Sequence, residues 1–559
     1  MQFKEQLRNG VVSACAILAL ASATPAARAQ NAWAPTATLA IPVVALTGAT
    51  DIAPLAGSQP LTVRLGLAVQ NKSALLSFVS AVTNPANPLY GQYLKPRQFA
   101  EHYAPSHAQV DSVVHYLTRA GFTDITVEPN RLLISATGTA QMASTAFNTS
   151  LEQMSINGVT GFVNITPALV PAALGGLVTS VLGLNTVGQM KPTTALPTPQ
   201  YLVSYTPAQF QVIYSANTLP PAKRATIAIM AEGDLTGVLT DLRTEETAFG
   251  LPQVPVEVVP VGEPSTDVSG ADEWDLDTQY SSGMAQDLKK LYIYDTTSLS
   301  DSDLALEFSH WATDDVAKGA SASLGECEVF PYVDGSMAID DMIFLEAASQ
   351  GQTFFASAGD TGSFCPVGAA GVNGVPLGAP FVNYPAASPY VVGVGGTTLL
   401  TNQDGSYNSE IAWYAGGGGL SQFEESPSWQ SPALVLLTET GDRGVPDVSM
   451  DADPNSGATV YVNGAPEAVG GTSLSSPLSL GVWARAISAN RKLGFASPRI
   501  YGLYDPTGGA GGLTGSYPLG GFHDITVGAN GAYTALPGYD LATGLGTFWV
   551  DQFVAALKP

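Results

Sequence analysis

Three short stretches carry residue types that could do nucleophilic and acid–base chemistry. The first is Gly470-Gly471-Thr472-Ser473-Leu474-Ser475-Ser476-Pro477. Its paired glycines allow a tight turn and close backbone approach. Beyond it Leu478, Val482, Trp483 and Ile487 recur at helical spacing, which predicts a helix with Ser473 at its N-terminus. Free amides and the helix dipole favour developing negative charge there. Pro477 is expected in the first turn, where its missing N–H does least harm. The stretch reads equally as an N-cap serine on a core helix. It is not the Gly-x-Ser-x-Gly elbow, since Ser475 stands at the fifth position. What separates the two readings is a base.

Histidine is the usual base, and the chain has five: His102, His107, His115, His310 and His523. The first three fall in the N-terminal part; His310 and His523 lack the setting of a triad histidine. A carboxylate pair is the better candidate. In Asp272-Glu273-Trp274-Asp275-Leu276-Asp277, Glu273 and Asp277 are four apart, which on a helix brings their Cβ atoms to about 5–6 Å. Two carboxyls that close share a proton, and one apparent pKa rises. A Glu tuned in this way can take the serine proton and return it to a leaving amine. Taken alone, the same pattern reads as a solvated acidic face.

The third stretch is Phe354-Phe355-Ala356-Ser357-Ala358-Gly359-Asp360-Thr361-Gly362. An apolar strand running into Gly-Asp places Asp360 at the C-terminal edge of a sheet, where α/β sites form. Protonated, Asp360 could donate to a tetrahedral oxyanion; alone it reads as a turn-forming Asp.

The elements that must position these residues follow from the rest of the chain. At 559 residues, two domains are the natural expectation. The formal charge of −25 argues against a nucleic-acid partner and is compatible with work in acid, where carboxylates lose charge. Residues 1–29 read as a secretory signal, with Lys4 and Arg8, an apolar run from Val11 to Ala21 and Ala27-Arg28-Ala29 at the cleavage site. That run is too short for a membrane anchor, so the expectation is a secreted protein with no membrane partner. Cys15 would leave with the signal, and Cys327 and Cys365 remain as an even pair, either one disulfide or two buried thiols.

Residues 30–60, rich in Ala, Pro and Thr, read as a flexible leader. Residues 61–188 alternate strands and helices as a compact α+β domain, expected to hold an antiparallel sheet. Residues 189–204 are Pro/Thr rich and read as an extended, protease-accessible linker. From 205 to 559 the alternation implies a mostly parallel sheet with helices on both faces, ending in a Gly-rich, loop-like stretch over 505–547.

Together Gly-Thr-Ser473, the Glu273/Asp277 pair and Ser-Ala-Gly-Asp360 resemble the sedolisins, or serine-carboxyl peptidases, and most of all their bacterial branch. Ser323-Leu324-Gly325-Glu326-Cys327-Glu328 and Gly351-Gln352-Thr353-Phe354 add to the match. The resemblance runs from about residue 61 to the C-terminus, its N-terminal part similar to a kumamolisin-type activation domain. It implies a subtilisin-like fold and a secreted acid endopeptidase made as a zymogen, with Ser473 as nucleophile, Glu273 as general base, Asp277 as its partner and Asp360 as oxyanion donor. Low pH is then required, because Asp360 must be protonated to donate.

Peptides and proteins would be substrates, the chain's own prodomain an intramolecular inhibitor, and the processed enzyme a monomer. The family pattern also suggests a Cys327–Cys365 disulfide. Glu232 is a candidate extension of the carboxyl network, and equally a surface acid. The strand Ser321–Gly325 and the run Gly416–Gly419 are expected to flank an extended substrate; that run lacks the Gly-Lys-Ser/Thr of a phosphate loop.

Near the C-terminus, His523-Asp524-Ile525 and Pro537-Gly538-Tyr539-Asp540 bracket a loop offering the hard oxygens calcium prefers. By resemblance one Ca2+ would take the side chains of Asp524 and Asp540 and the carbonyls of Ile525, Leu536 and Gly538, with Leu536 where the family has Gly. The other reading is a metal-free Asx-turn loop. Two rivals stand against the whole: a neutral hydrolase using His310 or His523, and a catalytically silent secreted binding protein of the same fold.

Overall fold

The computed structural model describes residues 32–40, 49–156, 159–193, 195, 203–365, 380–434, 437–438, 440–504 and 520–558. The signal at 1–29 and residues 505–519 of the Gly-rich stretch lie outside them.

The C-terminal two thirds is built on a ten-stranded, mostly parallel sheet. Its strands are β1 (Thr226–Glu232), β2 (Val256–Val261), β3 (Lys290–Thr296), β4 (Gly319–Ala322), β5 (Thr353–Ser357), β6 (Val391–Thr401), β7 (Tyr407–Ala412), β8 (Val448–Asp451), β9 (Phe522–His523) and β10 (Thr547–Phe548). They lie in the order β2-β3-β1-β4-β5-β6-β8-β10-β9, with β7 antiparallel on β6. β1, β4 and β5 are buried almost throughout. Such near-continuous apolar runs are what a sheet covered on both faces demands.

Four helices matter for the site: α1 (Ala271–Ala285), α2 (Asp301–Asp314), α3 (Ser336–Ser349) and α4 (Thr472–Ala489). Register assigns them to faces. Gly319 pairs with Thr353 and Ala320 with Phe354, and alternate residues of a strand point to opposite faces. The side of Gly319 that lacks a side chain faces Leu480 and Trp483 of α4. Phe354 packs on Phe308 and Trp311 of α2 and Phe344 of α3. So α4 covers one face, and α2 with α3 the other. α1 lies beside α4, and the contact is close because Gly481 meets Met284 and the Ser281 carbonyl.

The N-terminal part is an antiparallel four-stranded sheet in the order Thr123–Val127, Leu133–Thr139, Pro60–Leu67 and Val178–Leu182. Its helices are Lys72–Thr83, Pro96–His102, His107–Ala120 and Ala140–Ala146. It has a core of its own around Val63, Leu65, Val113, Ile134 and Phe147. Leu133, Leu182, Leu75 and Phe99 instead join the core of the C-terminal part. Polar contacts cross the same seam: Arg64 pairs with Asp303 at 2.8 Å, Glu128 with His310 at 3.2 Å, and Asn130 Nδ2 donates to Glu346 at 2.8 Å.

Two expectations are corrected. The leader 30–60 is not simply flexible: Trp33–Pro35 pairs with Leu169–Pro171, Thr36 and Thr38 are buried, and Ala49–Pro54 pairs with Leu151–Ile156. Register with a neighbouring strand supplied the order that composition did not reveal. Ser321–Gly325 is also not one strand. It breaks at Ser323, so β4 stays in the main sheet while Leu324–Cys327 turns out to pair elsewhere. Among the described residues no helix is long and apolar enough to cross a membrane.

Candidate active site

Ser473 is the second residue of α4 and is fully buried. Gly471 before it has φ +102°, a conformation a side chain would strain. The first turn of α4 is fastened to the sheet by the Ser475 hydroxyl, which accepts Met450 N–H at 2.7 Å, and by Ser476 Oγ, 2.8 Å from Ser321 Oγ. Pro477 is the sixth residue of the helix, not part of its first turn. At that place it removes the N–H that would ordinarily bond the Ser473 carbonyl. Ser323 fills the gap, its hydroxyl donating to Ser473 O at 3.2 Å while lying 2.5 Å from Asp277 Oδ1.

Glu273 and Asp277 lie one turn apart on α1 and are both fully buried, which removes the solvated-face reading. Burial pushes Asp277 well above the usual carboxylate range, against the lowering effect of Ser323. A protonated Asp277 can donate to Ser323 Oγ, freeing the serine proton for the Ser473 carbonyl. One hydroxyl then serves both neighbours.

Asp360 follows β5 on a turn whose Gly359 has φ +99°. Its Oδ1 accepts both the N–H and the hydroxyl of Thr472 at 2.8 Å, and Gly359 N–H donates to the same hydroxyl at 3.0 Å. Oδ2 is buried without a hydrogen-bond partner. Burial raises the carboxyl to about 7 despite the two Thr472 bonds. It is therefore a neutral acid below that pH, with one oxygen left to donate. Asp360 Oδ2 faces the Cα of Gly471, directly beside the nucleophile's turn.

The linker runs through this site. Lys191 and Pro192 pair antiparallel with Gly325 and Leu324, Thr193 N–H donates to Ser323 O at 3.2 Å, and Ala195 exchanges backbone bonds with Gly470 at 3.1 and 2.9 Å. Thr193 Oγ1 is 2.8 Å from Ser473 Oγ and donates to Ser357 Oγ at 2.8 Å. Of the linker expected over 189–204, residues 194 and 196–202 lie outside the described residues; Lys191, Pro192, Thr193 and Ala195 are held by backbone pairing. Of the stretch Ser321–Gly325 expected to flank a substrate, residues 323–325 hold the chain's own Lys191, Pro192 and Thr193. Gly416–Gly419 does something else. Gly417 N–H donates to Gly359 O at 2.6 Å and Gly418 abuts the Leu541 carbonyl, so the run braces the turn that carries Asp360.

The remaining candidates sort clearly. Glu232 ends β1, is raised to about 7 by burial with Asp267 and Asp295 nearby, and takes Trp274 Nε1–H on its carbonyl at 2.9 Å. His310 is engaged by Glu128 across the seam. His523 is stacked between Tyr407 and Trp549, and burial lowers it to about 4. Cys327 and Cys365 form a disulfide, with sulfurs 2.01 Å apart, that ties the linker-binding strand to the segment after Asp360. Thr193, Thr472 and the Ser323 side chain were not singled out from the sequence. Small hydroxyl residues carry no periodic signal, and only the fold brings them together.

The C-terminal loop suits a cation. Asp524 takes Gly538 N–H at 3.1 Å and Asp540 takes Leu536 N–H at 2.9 Å, so both carboxyls close on residues 536–538. Asp540 also accepts Ala542 and Thr543 N–H at 2.8 Å. Burial raises Asp524, and raises Asp540 to about 6. No Lys or Arg ion pair to either is present among the described residues. A half-buried and a buried carboxyl on one loop, without a cationic side chain, are hard oxygen donors of the kind a divalent ion takes. Among the described residues no cluster of three or more His, Cys, Asp or Glu could hold a metal, so carbonyls would have to complete the set.

A parallel sheet with a serine opening the helix on one face, and an acid at the strand end beside it, defines a serine peptidase of subtilisin-like fold. Residues 47–187 match the family "Pro-kumamolisin, activation domain" and residues 266–500 the "Subtilase family". Sedolisin of Pseudomonas sp. (strain 101) is 36% identical over 99% of this chain and 97% of its own. Xanthomonalisin of Xanthomonas sp. (strain T-22) is 36% identical over 89% of this chain and 65% of its own. The solved Pseudomonas sedolisin, complexed with two molecules of pseudo-iodotyrostatin, superposes with a TM-score of 0.58 at 35% identity, covering 63% of this chain and 98% of that one. The chain belongs to the sedolisin family: it is a serine-carboxyl peptidase that carries an activation prodomain.

Proposed function

We propose that this protein is a secreted, acid-acting endopeptidase that is made as a zymogen and processes itself at low pH. In this reading Ser473 attacks the peptide carbonyl, Glu273 takes its proton and passes it to the leaving amine, and Asp277 shares a proton with Glu273. Asp360 donates from Oδ2 to the oxyanion. Water then releases the acyl group from Ser473.

The observation that carries the reading is Asp360. Its Oδ1 is saturated by Thr472, its Oδ2 is buried and unpartnered, and it sits beside the turn that delivers Ser473. A group so placed serves an oxyanion only while protonated, which makes the chemistry acid-dependent. The sites for a single Ca2+ would be Asp524, Asp540 and the carbonyls of Ile525, Leu536 and Gly538; bound there, the ion would neutralise the two carboxyls and hold the loop. Cys15 leaving with the signal, and the Cys327–Cys365 bond, are consistent with export.

The test is to purify the full chain at neutral pH, acidify it, and follow chain length and peptide hydrolysis for wild type, Ser473→Ala and Glu273→Gln. Wild type should shorten and gain activity. Both variants should stay full length and inactive. Equal activity in Ser473→Ala would remove the reading.

A further inference from the structure

The described part of the linker does more than lie in the cleft. It is held at Thr193 and again at Ala195, two peptide bonds further on. On the N-terminal side, Lys191 and Pro192 add a short strand to Leu324–Cys327, and Thr193 N–H reaches Ser323 O at 3.2 Å. On the C-terminal side, Ala195 is bonded in both directions to Gly470, three residues ahead of the nucleophile. Between these anchors the Thr193 side chain touches Ser473 Oγ at 2.8 Å. The Thr193 carbonyl oxygen points at the open side of Gly471, within 2.2 Å of where a Cβ would stand, and Asp360 Oδ2 lies 2.5 Å from that same point. The carbonyl therefore occupies the space that the unpartnered acid oxygen faces.

From this register we infer that the bond between Thr193 and Thr194 is the one the protein cuts in itself, with Thr193 as the acyl residue and Ser357 as the wall that reads its hydroxyl. The inference rests on the proposed peptidase activity and adds the identity of its first substrate. Ser473 Oγ bonds to the Thr193 carbonyl carbon as its proton passes to Glu273. The C–N bond to Thr194 breaks as that proton moves to the leaving nitrogen. Water then cleaves the ester, leaving a carboxylate on Thr193 and a new N-terminus at Thr194. Main-chain pairing on both flanks supplies the affinity, as in strand addition. The Thr193 Oγ1 bond to Ser357 Oγ selects a small hydroxyl side chain at this place.

The experiment is N-terminal sequencing and intact mass at the earliest times after acidifying the purified full chain, with Ser473→Ala alongside. The expected first new N-terminus is Thr194-Ala195-Leu196, absent from Ser473→Ala. Thr193→Pro removes the N–H given to Ser323 and should slow this first cut about tenfold or more. Thr193→Ser keeps the N–H and the hydroxyl and should still be cut at the same bond. A first cut elsewhere in wild type, absent from Ser473→Ala, would overturn the register while leaving self-processing intact. The same cut in Ser473→Ala would assign it to another protease. No cut in wild type at any pH would remove both the inference and the activity beneath it.

Discussion

The hydroxyl of Ser323 stands 2.5 Å from Asp277 Oδ1. Through it the acid on α1 reaches the backbone of the helix that carries Ser473, because the same hydroxyl also serves the Ser473 carbonyl that Pro477 leaves without a helical donor. Ser323 thus couples the protonation of Asp277 to the seating of the nucleophile.

Replacing Ser323 by Ala should break that coupling. A buried carbonyl and a buried carboxyl each lose a partner, a cost of about 1–3 kcal/mol per group. The expected outcome is a kcat for peptide hydrolysis lowered at least about tenfold with KM little changed, since the Ser323 backbone carbonyl that accepts Thr193 N–H remains. Steady-state kinetics on the processed enzyme checks this, with Ser323→Thr expected to restore part of the loss.

Asp360 should set an upper pH limit. Burial raises it to about 7, so its proton, and with it the oxyanion donor, is lost as pH rises through that value. Asp360→Ala should lower kcat/KM by about 10²–10³-fold. Asp360→Asn carries a permanent donor, so the fall that titration of Asp360 causes near neutrality should disappear from its pH–rate profile. An unchanged profile in Asp360→Asn would count against the donor role.

The folded chain should be most stable in acid. Glu346 is fully buried and Glu326 partly so; desolvation raises both to about 8, and His310 is raised first by its bond to Glu128. A raised carboxyl contributes stability below its unfolded pKa and loses it as pH climbs through the folded one. For these two that window runs from about 4.5 to about 8. His310 has the same sign, its contribution fading above its raised value. Thermal melts of full-length Ser473→Ala, which cannot digest itself in the proposed mechanism, should show a Tm about 5 °C or more higher at pH 5 than at pH 8. Glu346→Gln should flatten that slope.

Calcium should stabilise the processed enzyme. An ion bound only by the folded state adds about 2.7 kcal/mol at a hundred times its Kd. EDTA should therefore lower Tm, calcium should restore it, and Asp540→Asn should abolish the response. A Tm indifferent to EDTA in wild type would argue for the metal-free turn.

Much of the scaffold was legible because it is written in periodicity. The buried runs at β1 and β5, the helical spacing after Ser473, and the alternation at Val63, Leu65 and Leu67 each reflect one local repeat against one apolar surface. The leader strands Trp33–Pro35 and Ala49–Pro54 escaped notice because their order comes from partners about a hundred residues away or further. The position of Pro477 was misjudged for a related reason. Its missing N–H is tolerated in mid-helix only because Ser323, remote in sequence, replaces the donor.

What the amino-acid order determined by itself is the chemistry on offer: a serine before a helix, two acids one helical turn apart, an acid at the end of an apolar strand, and no histidine in a triad setting. Tertiary structure alone decided what those groups touch. It set Asp360 against Thr472 with one oxygen spare, joined Asp277 to the nucleophile's helix through Ser323, and drew Thr193 onto Ser473. Side-chain type and local spacing are properties of the chain, whereas burial and hydrogen-bond geometry exist only once distant segments are packed together, and it is these that shift an acid's pKa.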